Sequence, residues 1–348
     1  MPHPFPPEAV PLLIDWYRAG HRDLPWRETR DPYAILVSEI MLQQTRAEAV
    51  KPYYHRFLAT LPTVADLARA DDALLHKLWE GLGYYSRVRN LKRAAIAVME
   101  ELGGVIPADF NALLRLPGVG RYTAGAVASI AYDIPVPAVD GNVLRVFSRL
   151  TGDDTDVLTP AAKTNAERAI APYVPKKGAG DLTQALIELG AVVCTPGGSP
   201  KCADCPLSLL CVAAREGRQG ELPVRNPKTK RRVEERTVLV IRTPDGRTAL
   251  LQRPDRGLLA GLYEFPCMDG HQTEADVRAY LCSLGLSVSS VRPLTASKHL
   301  FTHIEWQMVG FAVEVALPDT LPEGWILATP EEIDGRYAIP SAYAAYRL

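Results

Sequence analysis

The hydrophobic period of this chain changes once along its length, and that change limits what it can fold into. Up to about residue 215 apolar residues recur at helical spacing, as in Val10, Leu13, Ile14 and Tyr17, or Leu91, Ala94, Ala95 and Val98. This half reads as all-helical. Start and stop signals agree: Asp31-Pro32 can cap and open a helix, Thr63 with Asp66 has capping-box spacing, and Gly103-Gly104 closes a segment. Residues 221–235 are basic, proline-punctuated and without apolar period, which predicts a linker. Beyond it, 237–241, 248–251 and 304–315 have strand character and 274–284 has helical spacing. A multidomain chain is expected: an all-α domain over 1–220, a basic linker over 221–235 and an α+β domain over 236–348.

A length of 348 residues with 47% hydrophobic content is enough to bury two cores. No early stretch joins a basic start to a long apolar run, so neither signal peptide nor membrane helix is expected, and the chain is assigned to the cytoplasm, with the nucleoid as its place in a bacterium. In that reducing compartment the six cysteines argue against a disulfide framework and for metal ligation. A net charge of −1 gives no global sign of a nucleic-acid partner. DNA binding would rest on local patches, either Arg87, Arg89, Lys92 and Arg93, or Arg225, Lys228, Lys230, Arg231 and Arg232.

Leu116-Pro117-Gly118-Val119-Gly120 sits between a short helical segment, 109–114, and a small-residue helix, 121–131. This predicts a helical hairpin with glycines at its tip. Glycine permits positive φ and close backbone approach, and the N–H groups and dipole of the following helix favour a phosphate. Sequence-independent DNA binding is the function such a tip can serve.

Two carboxyl groups are expected in opposite environments. Glu39 lies in a segment read as helical over 32–45, with Ile35 and Leu42 on its stripe, so burial should raise its pKa. Asp140, in Val139-Asp-Gly-Asn142, precedes the helix carrying Val143, Val146, Phe147 and Leu150, an N-cap place that favours the anion. A neutral acid beside an anionic partner suits cleavage of an N-glycosidic bond, where one group protonates the leaving base and the other stabilises the sugar cation.

Cys194, Cys202, Cys205 and Cys211 fall within 18 residues, with gaps of seven, two and five. Zinc ribbons usually supply two separated C-x-x-C pairs, and only one is present, so an iron–sulfur cluster is favoured with zinc remaining open. Lys201, Arg215 and Arg218 stand near this loop and could meet phosphates, which would give the cluster a structural and electrostatic role. Cys267 and Cys282 read as ordinary thiols.

The Leu-Pro-Gly-Val-Gly tip, the Val-Asp-Gly-Asn aspartate and the four-cysteine loop together resemble the helix-hairpin-helix glycosylase superfamily, over roughly residues 8–220. Leu24-Pro-Trp-Arg27, Ser38-Glu-Ile-Met-Leu-Gln-Gln-Thr45, Trp79-Glu-Gly-Leu-Gly-Tyr-Tyr-Ser-Arg87 and Ala185-Leu-Ile-Glu-Leu-Gly190 resemble its MutY-type adenine glycosylases. Endonuclease III relatives carry a nucleophilic lysine two residues after the hairpin's last glycine. Here that position is Tyr122, which cannot form a Schiff base. The resemblance therefore implies a monofunctional, monomeric enzyme with a [4Fe-4S] cluster on Cys194, Cys202, Cys205 and Cys211. Glu39 would protonate adenine at N7, Asp140 would stabilise or bond the sugar cation, and Tyr122 and Asn142 would support them. Gln44 and Tyr84 would enter the base stack, Trp26 and Arg27 would line the pocket, and Leu116, Gly118, Val119 and Gly120 would grip the backbone.

The second domain resembles the Nudix-like module of the same family through Gly257-Leu-Leu-Ala-Gly-Leu-Tyr-Glu-Phe-Pro266 and His299-Leu-Phe-Thr-His303. The resemblance implies that Phe301, Thr302 and His303 read 8-oxoguanine opposite adenine in double-stranded DNA, with A:G mispairs as the other substrate. Residues 270–285 offer only Glu274 and Asp276 and lack the glutamate-rich pattern that holds Mg²⁺, so no pyrophosphatase activity is expected. Two departures stand out. Thr302 occupies a place that is usually serine, and the first cysteine gap is seven residues instead of six, with Gly197-Gly198 as the expected site of the extra one.

Overall fold

Where the local signals are strongest, side chains close the helix ends they were expected to close. Asp31 accepts from Tyr33 N and Ala34 N, Pro32 follows it, and Thr63 and Asp66 bond reciprocally. The computed structural model describes residues 3–197, 199–226, 231–254 and 256–347. Its helices are α1 (Ala9–Gly20), α2 (Pro32–Leu42), α3 (Ala47–Thr60), α4 (Val64–Arg69), α5 (Asp72–Leu78), α6 (Ser86–Glu101), α7 (Phe110–Arg115), α8 (Arg121–Tyr132), α9 (Gly141–Thr151), α10 (Pro160–Ile170), α11 (Ala179–Val192), α12 (Val212–Glu216), α13 (Glu274–Ser283) and α14 (Pro330–Gly335). Its strands are β1 (Arg232–Arg242), β2 (Thr248–Gln252), β3 (Tyr263–Glu264), β4 (Cys267–Asp269), β5 (Val288–Leu300), β6 (Ile304–Val315) and β7 (Trp325–Ala328). Among the described residues no helix is long and apolar enough to cross a membrane.

The chain divides into two compact units, residues 1–69 with 89–227, and residues 70–88 with 228–348. This differs from one continuous first domain over 1–220, because polar bonds tie 70–88 into the second unit. Lys77 Nζ donates to Ile333 O at 3.0 Å, and Glu80 accepts from Ile339 N at 3.2 Å and pairs with Arg347. The linker is also shorter than 221–235. Leu222 is buried, Val157 N donates to Val224 O, and Arg232 to Glu235 already pair with β6. Ladder bonds along the backbone outweigh the charged side chains that made those four residues read as linker.

In the first unit α11 packs on α1, α8 and α9, and α2 packs on α8. Glycines let these backbones approach: a Cβ on Gly125 of α8 would lie 2.4 Å from Pro137 O, and one on Gly190 of α11 would lie 2.6 Å from Asn142 Cβ. Helix α2 ends three residues before the expected limit, because Gln43 leaves the helical region and Gln44 takes φ +58°.

The second unit is built on a sheet ordered β3-β2-β1-β6-β5, with β4 added on β1 and β7 on β2. Strands β1 and β6 run parallel, and every other pair is antiparallel. Val238 and Val240 enter a core with Trp306, Met308 and Tyr343, whereas Leu239 and Ile241 enter another with Val277, Leu281 and Val313. Both faces of β1 are covered, which is why its sequence is a continuous apolar run instead of an alternation.

The close approach at Gly125 makes a direct prediction. Gly125→Ala should destabilise the helical unit by roughly 1–3 kcal/mol, because overpacking against a backbone carbonyl outweighs the gain in helix propensity. Denaturant unfolding monitored on that unit checks it, and an unchanged midpoint would refute the packing argument.

Candidate active site

The tip expected at 116–120 forms between α7 and α8. Leu116 and Val119 are buried and anchor it, while Gly118 and Gly120 are exposed. Gly118 is required twice over: its φ is +75°, and a Cβ would lie 2.5 Å from Asn90 Cβ. Helix α8 then carries Tyr122 inward, and its hydroxyl donates to Glu39 Oε2 at 2.7 Å.

Glu39 is 5% exposed on a helix whose residues 33–41 are all buried. Burial pushes its carboxyl up to about 7; the Tyr122 hydroxyl and Arg27 pull it down, and the neighbouring Asp140 carboxylate pushes it further up. Asp140 caps α9 as expected, accepting from Val143 N and from Asn142 Nδ2, each at 2.8 Å. The cap bonds favour the anion as expected, but burial acts against them. Burial raises the Asp140 carboxyl above its ordinary value, and the cap bonds and Arg145 offset that only in part. Glu39, Tyr122 and Asp140 thus share one electrostatic neighbourhood, with Tyr122 shifted strongly upward by burial and by both carboxylates.

A chain of polar contacts leads away from Asp140. Asn142 Oδ1 accepts from Arg145 Nη2 at 2.8 Å, which also donates to Gly190 O, while Arg145 Nε donates to Cys194 O at 2.7 Å. All four cysteines of the loop are free and line one cavity with Arg149, Lys201 and Gln219. Burial pushes the Cys205 thiol up to about 11, with Cys194, Cys211 and Cys202 adding to the rise. The buried Arg149 donates to Cys194 Sγ at 3.4 Å and to the carbonyls of Thr195 and Leu222, and it makes no ion pair with a carboxylate among the described residues. Also among the described residues, no three His, Cys, Asp or Glu side chains could hold a metal ion as they stand. Four soft thiols around a cavity, beside a buried cation, fit an anionic cluster that brings its own sulfide. Gly198 lies outside the described residues, as do Lys228 and Lys230 of the second basic patch. Arg218 is engaged by Glu216 and Glu221, while Lys201 and Arg215 are exposed.

Trp26 is buried and Arg27 partly buried, its side chain 6% exposed, and Trp26 lies edge-on to Tyr54 with ring centroids 5.6 Å apart. Arg27 and Arg22 both bond Glu188, at 2.7 Å each. Burial alone would raise the Glu188 carboxyl, yet the two guanidinium groups hold it at about 2. Glu188 was not singled out from sequence. The available signal was a carboxylate within the apolar stretch Leu186-Ile-Glu-Leu189.

Among the described residues four that are not glycine have positive φ: Gln44, Tyr84, Asp133 and Leu259. Gln44 is exposed, and so is Tyr84, at 47%, whereas its neighbour Tyr85 is buried. Arg87, expected in a surface patch, is instead buried; it lies over the rings of Trp79 and Tyr84 and donates to Leu82 O and Gly83 O. Its task is to fasten the bend that presents Tyr84. Within the same unit Tyr84 meets Thr302, hydroxyl to hydroxyl, at 3.1 Å. Phe301, Thr302 and His303 form the turn between β5 and β6, with Thr302 and His303 exposed.

Residues 37–172 match the family model of the HhH-GPD superfamily base excision DNA repair protein, and residues 237–346 match that of the NUDIX domain. Fold and site thus define the class: a helix-hairpin-helix base-excision protein joined to a Nudix-like module. The chain is 37% identical to an adenine DNA glycosylase of Mus musculus, over 92% of this chain and 73% of that protein. It belongs to the adenine DNA glycosylase family. Among solved structures, a thermostable thymine-DNA glycosylase aligns with TM-score 0.54 and 32% identity, over 60% of this chain and 96% of that one. A trapped endonuclease III–DNA covalent intermediate aligns with TM-score 0.51 and 25% identity, over 61% and 99%.

The Glu39 carboxyl gives two predictions. A carboxyl raised from 4.5 to about 7 in the folded state costs no stability below the unfolded value. The cost grows as pH rises through this window and levels off above it, at on the order of 3 kcal/mol. Glu39→Gln should therefore melt above the wild type at pH 8 and close to it at pH 4.5, and a pH-independent difference would count against a buried acid. Tyr122→Phe removes a bond that favours the anion, so the Glu39 titration, followed by infrared or NMR, should move upward; a downward move would contradict the assigned donor.

Proposed function

We propose that this chain removes adenine from double-stranded DNA where it lies opposite 8-oxoguanine or guanine, and that it does so by hydrolysis without strand cleavage. The observation that carries the reading is Glu39, a buried carboxyl raised to about 7 beside Tyr122 and the capped Asp140. Such a group holds a proton near neutrality and can release it to a base leaving an N-glycosidic bond.

In the proposed reaction the hairpin tip at Gly118 and Gly120 grips the DNA backbone, and adenine leaves the stack as Gln44 and Tyr84 enter it. Trp26 and Arg27 line the receiving pocket. Glu39 donates its proton to adenine N7; the C1′–N9 bond breaks and its electron pair goes to the base. The Asp140 carboxylate stabilises the resulting sugar cation, or bonds to C1′, with Asn142 and Tyr122 holding the two carboxyls in place. Water then adds at C1′, and its proton returns to Glu39. Tyr122 offers no amine for a Schiff base, which supports the monofunctional reading. Phe301, Thr302 and His303 contact the 8-oxoguanine left behind, through ring, hydroxyl and imidazole. Cys194, Cys202, Cys205 and Cys211 would hold a [4Fe-4S] cluster that fixes their loop and presents Lys201 and Arg215 to phosphates; when bound it supplies charge and rigidity.

Duplexes carrying adenine opposite 8-oxoguanine, guanine or thymine test this reading. Free adenine should form from the first two, with strand breaks only after alkali, and Glu39→Gln should slow release by roughly 10² to 10⁴-fold. Breaks without alkali, or release from a damaged pyrimidine instead of adenine, would replace it with an endonuclease III-like activity.

A further inference from the structure

Behind the exposed turn at 301–303 lies a support with no part in the chemistry above. Trp306 is fully buried on β6, three residues after His303. Its indole is held from two directions: the Arg236 guanidinium carbon lies 4.1 Å from the ring centroid, and Nε1 donates to Glu234 Oε2 at 2.9 Å. Arg236 Nε stands 3.9 Å from the same carboxylate, and Glu234 is the register partner of Trp306 across the β1–β6 ladder. Phe301 meets Trp306 edge to face, with centroids 4.8 Å apart at 73°, and its other neighbour is His299 at 4.6 Å. The turn itself is held by a handful of polar contacts: Phe301 N donates to Ile304 O, Arg232 N to His303 O and Arg231 Nε to Phe301 O, and the Thr302 hydroxyl meets that of Tyr84.

We infer that Trp306, clamped by Arg236 and Glu234, is a positioning residue that sets how well the turn distinguishes 8-oxoguanine from guanine opposite adenine. This rests on the reading of 301–303 given under Proposed function. The two bases differ only at N7 and C8, so a turn that must first be ordered loses discrimination to that ordering, whereas one held by a fixed ring stack does not. Among the described residues Phe301 is the ring of the turn that Trp306 meets, so its loss acts on the choice between duplexes and leaves the excision chemistry in place.

The test uses the full chain in single-turnover excision with adenine opposite 8-oxoguanine and opposite guanine, comparing wild type, Trp306→Leu, Arg236→Met and Arg236→Lys. The wild type should favour the first duplex. Trp306→Leu and Arg236→Met should lower the ratio of the two rates by roughly three- to tenfold, the size of a lost aromatic edge contact, with the rate opposite guanine near wild type. Arg236→Lys keeps the charge but loses the planar stack, so its ratio should fall between. Circular dichroism and melting show whether Trp306→Leu folds, and Arg236→Met carries the test if it does not. Ratios unchanged in the folded variants, or rates that fall equally on both duplexes, overturn the inference. A wild type with no preference overturns instead the reading of the turn on which it depends.

Discussion

A carboxyl group sealed among apolar helices has one polar contact of consequence, the Tyr122 hydroxyl at 2.7 Å, and much of the first unit serves to keep that arrangement. Burial raises the Glu39 carboxyl, and the single donor stops the rise at about 7. A stronger donor set would leave the group ionised, as two guanidinium groups do for Glu188. With no donor the acid would hold its proton too firmly to give it up. The balance depends on α2 and α8 lying close together, with the tyrosine one helical position beyond Arg121 at the hairpin tip. The element suited to bind phosphate and the element that tunes the acid are thereby the same piece of backbone.

Asp140 connects this site to the cysteine loop through bonds between neutral and charged groups in turn: carboxylate, Asn142 amide, Arg145 guanidinium, Cys194 carbonyl. Gly190 permits this by letting α11 approach Asn142 without a side chain between them. Arg149, one turn further along α9, points its charge at the thiols with no carboxylate among the described residues to neutralise it, and a buried cation so placed is costly unless the thiols are themselves anionic. In the proposed holoprotein the cluster would thus complete a charge arrangement that already begins at the end of α9 that Asp140 caps. Loss of the cluster would leave Arg149 uncompensated, and the disturbance would act on the helix that Asp140 caps.

What could be read from the sequence follows a physical line. Caps at Asp31 and Asp140, the glycine tip and the cysteine spacing are local, each determined within a few residues, and each appears where those residues put it. The extent of β1 was hidden because Arg232, Glu234 and Glu235 are charged, and only pairing with a strand some seventy residues away makes them strand. Arg87 looked like part of a basic surface because its neighbours are basic, and nothing local reveals that its guanidinium turns inward over Trp79. The ionisation of Asp140 needed two opposing quantities. The cap was legible and the burial was not, since burial comes from helices distant in sequence.

Gln44 and Tyr84 show where local rules fail for a reason. Each is a long side chain in the left-handed region at φ +58° and +49°, a placement that costs of order 1–3 kcal/mol per residue unless something demands it. Asp133 shares the conformation and has a structural reason for it, accepting from Gly178 N and Gly180 N at the start of α11. Among the described residues, Gln44 and Tyr84 make no side-chain bonds to a helix start like those of Asp133. Gly81 and Gly83, both at positive φ, bend the chain ahead of Tyr84, and Arg87 secures the bend from below, so the strain serves to hold an aromatic ring out into solvent. A ring kept half-exposed at such cost suits the stacking role proposed for it, in which a base would cover its open face and return the hydrophobic free energy that the unliganded protein forgoes.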